Sequence, residues 1–99
     1  MEHRPLTYVL PAHVDTGCIV NTGAIIEHEV FVGEFTHISV NAVVAGRCKI
    51  GKCVMIGAGA TIIDQIEIAD DVLVGAGGLV CRSIKGNGTY VGVPVRKLN

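Results

Sequence analysis

Residues 50–79 read IGKCVMIGAGATIIDQIEIADDVLVGAGGL, and an aliphatic residue returns at every sixth position of this stretch. Counting in sixes in both directions extends the series without a break to twelve members: Val14, Val20, Ile26, Val32, Ile38, Val44, Ile50, Ile56, Ile62, Ile68, Val74 and Val80. The residue four places after each member is usually small or β-branched, as at Ala24, Thr36, Ala42, Ala60 and Val72. This pattern indicates a short strand that ends at a corner, because it has two inward positions two residues apart and then a turn.

A repeat of six residues is too short for a pair of helices and is typical of a hexapeptide parallel β-helix. Val and Ile together number 26 against five Leu, which also favours strands over helices. The sequence therefore predicts an all-β chain that winds through a single-stranded parallel β-helix.

The units IGKCVM, IGAGAT and VGAGGL resemble those of the left-handed β-helix acyltransferases. The resemblance implies left-handed winding and three hexads to each triangular coil, so that twelve hexads give about four coils. We expect a lead-in at residues 1–13, the β-helix at 14–85 and a C-terminal loop and tail at 86–99.

Length and charge restrict the classes of function. Ninety-nine residues make at most one domain, and a net charge of -1 does not favour a nucleic-acid partner. Residues 1–46 carry a net charge of -4 (five acids, one base) and residues 47–99 a net charge of +3 (four acids, seven bases). The last four bases follow Val80 with no acid among them, which indicates either a site for a small polyanion or a solvated tail. These bases are Arg82, Lys85, Arg96 and Lys97.

The uncharged runs are much shorter than the roughly 20 apolar residues of a membrane span, and no basic-then-apolar signal opens the chain. We therefore expect a cytoplasmic protein without a membrane partner. The four cysteines form no CxxC pair, so we expect them to be small core fillers, with no metal site.

One histidine stands between two glutamates, at Glu27-His28-Glu29, within the stretch IEHEVFVGEFTHI at residues 26–38. In the frame of six, His28 falls at a corner, where a side chain can project into a groove. His37 comes directly before an inward residue and should point outward from a flat face. An imidazole beside a carboxylate is typical of a general base with its orienting acid, although two solvated glutamates around a surface histidine are the alternative.

A more specific resemblance is carried by NTGAIIEHEVFVGEFTHISV at 21–40 and VGVPVRKL at 91–98. Both segments are similar to those of the sugar O- and N-acetyltransferases that modify sialic acid and nucleotide-linked 4-amino sugars. The resemblance covers nearly the whole chain from about Val14, as the C-terminal catalytic domain of such enzymes. Those enzymes usually also carry an N-terminal α/β domain that holds the nucleotide sugar, which these 99 residues do not include.

This resemblance implies acetyl-CoA as donor, an amine or hydroxyl of a sugar or nucleotide sugar as acceptor, and a homotrimer. It makes His28 the general base and Glu29 its acid, with Glu27 as the other candidate. It places His37 near the thioester of acetyl-CoA and the backbone at Ala58 and Ala76 along the pantetheine arm. The turn at Gly92-Val93-Pro94, with Arg96 and Lys97, would lie near the nucleotide phosphates.

His28 and His37 fall on different sides of one coil, so a neighbouring subunit must complete the site. Stacking by 18 residues aligns His37 with Ile19, Met55 and Leu73, an exposed apolar column that predicts the trimer interface. Two alternatives stay open: a non-catalytic β-helix module, or a catalytic half that lacks its acceptor-binding domain. A γ-type carbonic anhydrase is disfavoured because its paired histidine ligands are usually five residues apart, whereas the last three histidines here are 15 and 9 apart.

Overall fold

The computed structural model describes residues 11–98, in which the chain forms twelve short strands followed by a hairpin. The strands are β1 (His13–Val14), β2 (Ile19–Val20), β3 (Ile25–Ile26), β4 (Phe31–Val32), β5 (His37–Ile38), β6 (Val43–Val44), β7 (Lys49–Ile50), β8 (Met55–Ile56), β9 (Thr61–Ile62), β10 (Glu67–Ile68), β11 (Val72–Val74), β12 (Leu79–Val80), β13 (Gly88–Gly92) and β14 (Val95–Lys97). The described residues include no helix, and hence none that is long and apolar enough to cross a membrane.

Every third strand stacks into one of three parallel sheets, which form the faces of a prism. Face 1 contains β1, β4, β7 and β10; face 2 contains β2, β5, β8 and β11; face 3 contains β3, β6, β9 and β12. The register is 18 residues, as shown by the pairs Ile19 with His37, His37 with Met55, and Met55 with Leu73. The predicted all-β helix of about four triangular coils is confirmed.

The aliphatic column found in the sequence forms the core of the prism. Its members from Val32 to Val80 are buried, whereas Val14 and Val20 in the first coil remain 42% and 44% exposed. The second inward position is buried from Val30 onward, and it includes Thr36, whose hydroxyl donates to the carbonyl of Gly51 at 2.8 Å. Burial of these two positions on every side fixes the period of six.

Two of the four cysteines act as the sequence predicts. The thiols of Cys18 and Cys48 face inward and donate to backbone carbonyls at 3.0 Å, and burial raises the pKa of the Cys48 thiol. The prediction is wrong for Cys53 and Cys81, which are exposed. Cys53 is the second residue of a corner, where the side chain points away from the core.

At each corner of the β-helix between face strands, from Gly17 to Gly77, the second residue adopts a left-handed backbone with φ between 55° and 76°. An L-residue in this conformation costs about 1 kcal/mol relative to glycine. Seven corners nevertheless use a larger residue: Glu29, Phe35, Asn41, Arg47, Cys53, Gln65 and Asp71. The corners therefore bring charged side chains to the edges of the prism.

The C-terminal segment differs from the predicted loop and tail. Strand β13 continues face 2 in parallel with β11, and β14 folds back on β13 as an antiparallel partner. Val95 covers the last coil, since a Cβ atom built on Gly78 would lie 2.9 Å from its Cγ1. These residues form strands because the open end of the prism offers unpaired backbone groups for them.

The predicted lead-in lies mainly outside the described residues, and its last residue, His13, already belongs to β1.

Candidate functional site

His28 is the first residue of the corner between faces 3 and 1, which confirms its predicted place at a corner. Its half-buried ring lies over Gly46, the residue one coil further on. A Cβ atom built on Gly46 would lie 2.7 Å from Cε1 and 2.8 Å from Nε2 of the imidazole. The amide of Arg47 donates to the carbonyl of His28 at 3.0 Å and ties the two corners together. The ring is therefore supported by the backbone of the next coil.

The two glutamates beside His28 occupy different surroundings. The Glu29 carboxylate lies 3.6 Å from the guanidinium Nε of Arg47, and Glu27 is exposed to solvent. Within residues 11–98, no hydrogen bond joins the His28 ring to either carboxylate. The pair of Glu29 with Arg47 is partly exposed and is worth about 1 kcal/mol or less, so the carboxylate can exchange partners at little cost.

His37 lies on face 2 in strand β5, between Ile19 and Met55 in the stacked column. Its Nε2 atom is buried and has no hydrogen-bond partner among the residues that the structure describes. A buried polar atom without a partner is unfavourable by about 1–3 kcal/mol. Because the chain itself covers this atom, a ligand or a neighbouring subunit on face 2 would bond to it only after the ring turns.

Ala58 and Ala76 are stacked first residues of the corner between faces 2 and 3, and both are exposed. The amide of Gly77 donates to the carbonyl of Ala58 at 2.8 Å. Each alanine is followed by a left-handed glycine, Gly59 or Gly77, and nothing lies within 4 Å of a Cβ atom built on either one. The corner is a strip of bare backbone that an extended ligand could approach closely.

The predicted site residues are thus spread over three parts of the surface. His28 is at one corner, His37 on face 2, and Ala58 and Ala76 at another corner. A single prism does not bring all of them together, and completion of the site by a neighbouring subunit stays a prediction.

A cavity of 850 Å³ opens at the C-terminal end, and we call it the basic cavity. Its lining includes all four bases that follow Val80, namely Arg82, Lys85, Arg96 and Lys97. No acidic residue lines it, and the hydroxyl of Tyr90 in its wall donates to the carbonyl of Gly86 at 2.9 Å. Four cations around one cavity of this size are suited to binding phosphate groups.

A second concave surface, a groove of 720 Å³ along face 1, was not predicted from the sequence. Acids and bases both line it: Asp15, Glu34, Glu67 and Asp70 with Lys49, Lys52 and Lys85. The alternation of Lys49, Glu67 and Lys85 at intervals of 18 was the available signal. We call this surface the mixed-charge groove. In the described part of the chain, no group of three or more His, Cys, Asp or Glu side chains is arranged to hold a metal ion.

Comparison with known proteins relates the repeats to transferases. The family model of the bacterial transferase hexapeptide, with six repeats, matches residues 29–64. The apoenzyme of soybean serine acetyltransferase is 30% identical, with a TM-score of 0.80, and the match covers 88% of this chain and 40% of that one. The serine acetyltransferase of Neisseria gonorrhoeae, in complex with serine, is 30% identical over 86% of this chain and 39% of that one, with a TM-score of 0.80.

A serine acetyltransferase in complex with CoA is 27% identical over 88% of this chain and 39% of that one, with a TM-score of 0.81. This chain therefore spans about 40% of the length of the serine acetyltransferases that it matches. These similarities support the predicted hexapeptide-repeat acyltransferase family. They do not point specifically to the acetyltransferases of sialic acid and 4-amino sugars, so that finer resemblance stays a prediction.

Proposed function

We propose that this chain, a hexapeptide-repeat β-helix of the acetyltransferase family, transfers an acetyl group from acetyl-CoA to an amine or hydroxyl of a small molecule. The observation that carries the proposal is the basic cavity, which collects four cations and no acid at the end of the prism. The resemblance in residues 21–40 and 91–98 favours a sugar or nucleotide sugar as acceptor. The proposal includes the cytoplasmic location expected from the sequence.

An amino acid with a hydroxyl group is the second candidate for the acceptor. The matched serine acetyltransferases favour it, because one of them was solved in complex with serine. The mixed-charge groove is consistent with it, since acids and lysines together can bind the ammonium and the carboxylate of a zwitterion.

The donor fits three features of the surface. The basic cavity would hold the phosphates, the bare corner at Ala58 and Ala76 the pantetheine arm, and the half-buried side chain of His37 on face 2 the thioester region. When bound, acetyl-CoA supplies an activated acetyl thioester. The residues of this chain supply binding, orientation and proton transfer.

His28 is the general base in this proposal. Its neutral imidazole accepts the proton of the acceptor's amine or hydroxyl as the acceptor oxygen or nitrogen bonds to the acetyl carbon. The same proton then passes from the imidazolium to the departing sulfur, so the base is regenerated. Glu29, released from Arg47, or the exposed Glu27 stabilises the positive charge on the ring. A positioned base of this kind contributes about 10²–10⁴-fold to the rate.

A homotrimer joined through face 2 would complete the site. Ile19, Met55 and Leu73 are 54%, 38% and 42% exposed in the column that contains His37. Burial of this apolar column between subunits is favourable, and it would place one subunit's face 2 beside a corner of its neighbour.

Calorimetric titration with acetyl-CoA tests the proposal, followed by a screen of amino sugars and hydroxyamino acids for release of the CoA thiol. Arg96→Ala should weaken acetyl-CoA binding by about 10- to 100-fold, the loss of one charge-assisted contact. Lys49→Ala is the matched control, because it removes an exposed cation that lies outside the basic cavity. A wild-type protein that does not bind acetyl-CoA would instead be the non-catalytic module.

A further inference from the structure

We infer that Gly46 is a positioning residue for the His28 imidazole. This inference rests on the proposed function, in which His28 is the base, and it adds a residue that acts through the position of that base. The imidazole occupies the space above Gly46 that any side chain at this position would need.

The corner itself does not require glycine at position 46. Gly46 is the first residue of its corner, and φ at this residue lies outside the left-handed range that favours glycine. The same position in other corners carries a side chain, as at Thr16, Glu34, Val40, Lys52 and Ala58. A methyl group is therefore compatible with the backbone here, and the reason for glycine must lie in its surroundings.

Those surroundings are the His28 ring. A Cβ atom on Gly46 would lie 2.7 Å from Cε1, 2.8 Å from Nε2 and 3.3 Å from Nδ1, so it would overlap the imidazole. Gly46 is buried, whereas Val40, Lys52 and Ala58 at the equivalent positions are exposed. The ring therefore covers the glycine and lies on it.

The two coils cannot easily separate to make room for a side chain. The amide of Arg47 donates to the carbonyl of His28 at 3.0 Å, and neighbouring strands of faces 3 and 1 are paired on both sides of the corner. A methyl group at position 46 would therefore displace the ring rather than the backbone. Because general-base catalysis depends on the position of the ring nitrogen, this displacement should reduce turnover.

Gly46→Ala tests the inference in two ways. In acetyl transfer we expect kcat to fall by about 10²-fold, the effect of a misplaced catalytic group. The KM for acetyl-CoA should stay unchanged, because the basic cavity and the bare corner are untouched. Partial unfolding would also lower the apparent kcat at unchanged KM, so kcat is calculated from the folded fraction measured by circular dichroism at the assay temperature.

The second readout is the melting temperature in a double-mutant cycle with His28→Ala. In the wild-type background Gly46→Ala should lower the Tm, because the methyl group and the ring compete for one space. In the His28→Ala background it should leave the Tm unchanged or raise it, because alanine restricts the unfolded chain and no ring opposes it. This cycle tests the placement of the ring without requiring an acceptor.

Equal changes in Tm in the two backgrounds would overturn the inference, since the ring would then not be the group that Gly46 accommodates. The inference would also be overturned if the Tm change reversed sign between the two backgrounds but kcat of Gly46→Ala were unchanged, since the ring would then not need this position for catalysis. In that case a loss of activity in His28→Ala would still support the proposed function. Near-normal turnover in His28→Ala would overturn the proposed base and remove the catalytic role of Gly46 with it.

Discussion

Two valines in one column of the core should differ sharply in their contribution to stability. Val20 and Val74 belong to the inward column of face 2, in which Val20, Ile38, Ile56 and Val74 are stacked in register. Val74 is 0% exposed and Val20 is 44% exposed. The pair offers the same residue and the same substitution in the same sheet, with Val20 exposed in the edge strand β2 and Val74 buried in the interior strand β11.

The magnitude follows from the burial. Val→Ala removes two carbon groups, worth about 1.6 kcal/mol of transfer free energy when they are fully buried. A cavity in the tightly packed prism raises the loss for Val74→Ala to about 2–3 kcal/mol. For Val20→Ala, with nearly half of the side chain already in water, we expect about 1 kcal/mol or less.

Urea unfolding followed by circular dichroism measures both losses from the midpoint and the slope of each transition. The protein concentration must be the same for all variants, because assembly contributes to the apparent stability. Equal losses for Val20→Ala and Val74→Ala would refute the burial assigned to this column, and a greater loss for Val20→Ala would refute it more strongly.

Three further predictions concern the interface, the thiols and the acid beside the base. Met55→Glu should dissociate the proposed trimer in sedimentation velocity by placing like charges in an apolar contact, whereas Lys49→Glu on face 1 should not; unchanged assembly of Met55→Glu would exclude face 2. Maleimide should modify the exposed Cys53 and Cys81 rapidly and Cys48 only on unfolding, because burial and a raised pKa keep the Cys48 thiol protonated; peptide mass spectrometry that finds all three equally reactive would contradict this. Glu29→Gln should lower turnover less than His28→Ala does, and Glu27→Gln less again; the opposite order of the two glutamates in steady-state assays would make Glu27 the orienting acid.

The β-helix could be predicted from the sequence because burial imposes a period on the chain. Ile38, Ile56 and Val74 must all face one narrow core, so the register of six is visible without a structure. The left-handed corner residues could not be predicted in this way, since Glu29 and Arg47 adopt a conformation that usually signals glycine. There the repeat overrides the local preference of the residue.

The candidate site was predictable to the extent that it follows from the register. The frame of six placed His28 at a corner, and the addition of 18 residues would have found Gly46 beneath its ring. The four bases after Val80 indicated a site for a small polyanion or a solvated tail, but not that they share one cavity, because the hairpin β13–β14 brings Arg96 and Lys97 back beside Arg82 and Lys85. The two pairs of bases come together through the pairing of β13 with β14. These strands follow the last repeat, where the sequence has no period that would indicate their pairing.

The role of His28 as the general base is measured by the turnover of His28→Ala, with an acceptor that the wild type acetylates and with acetyl-CoA as donor. We expect kcat to fall by about 10²–10⁴-fold, because the acceptor's proton loses its base, while the affinity for acetyl-CoA measured by calorimetry stays nearly the same. Near-normal kcat in His28→Ala would exclude this role, since the histidine between two glutamates would then be a surface residue without a part in the reaction.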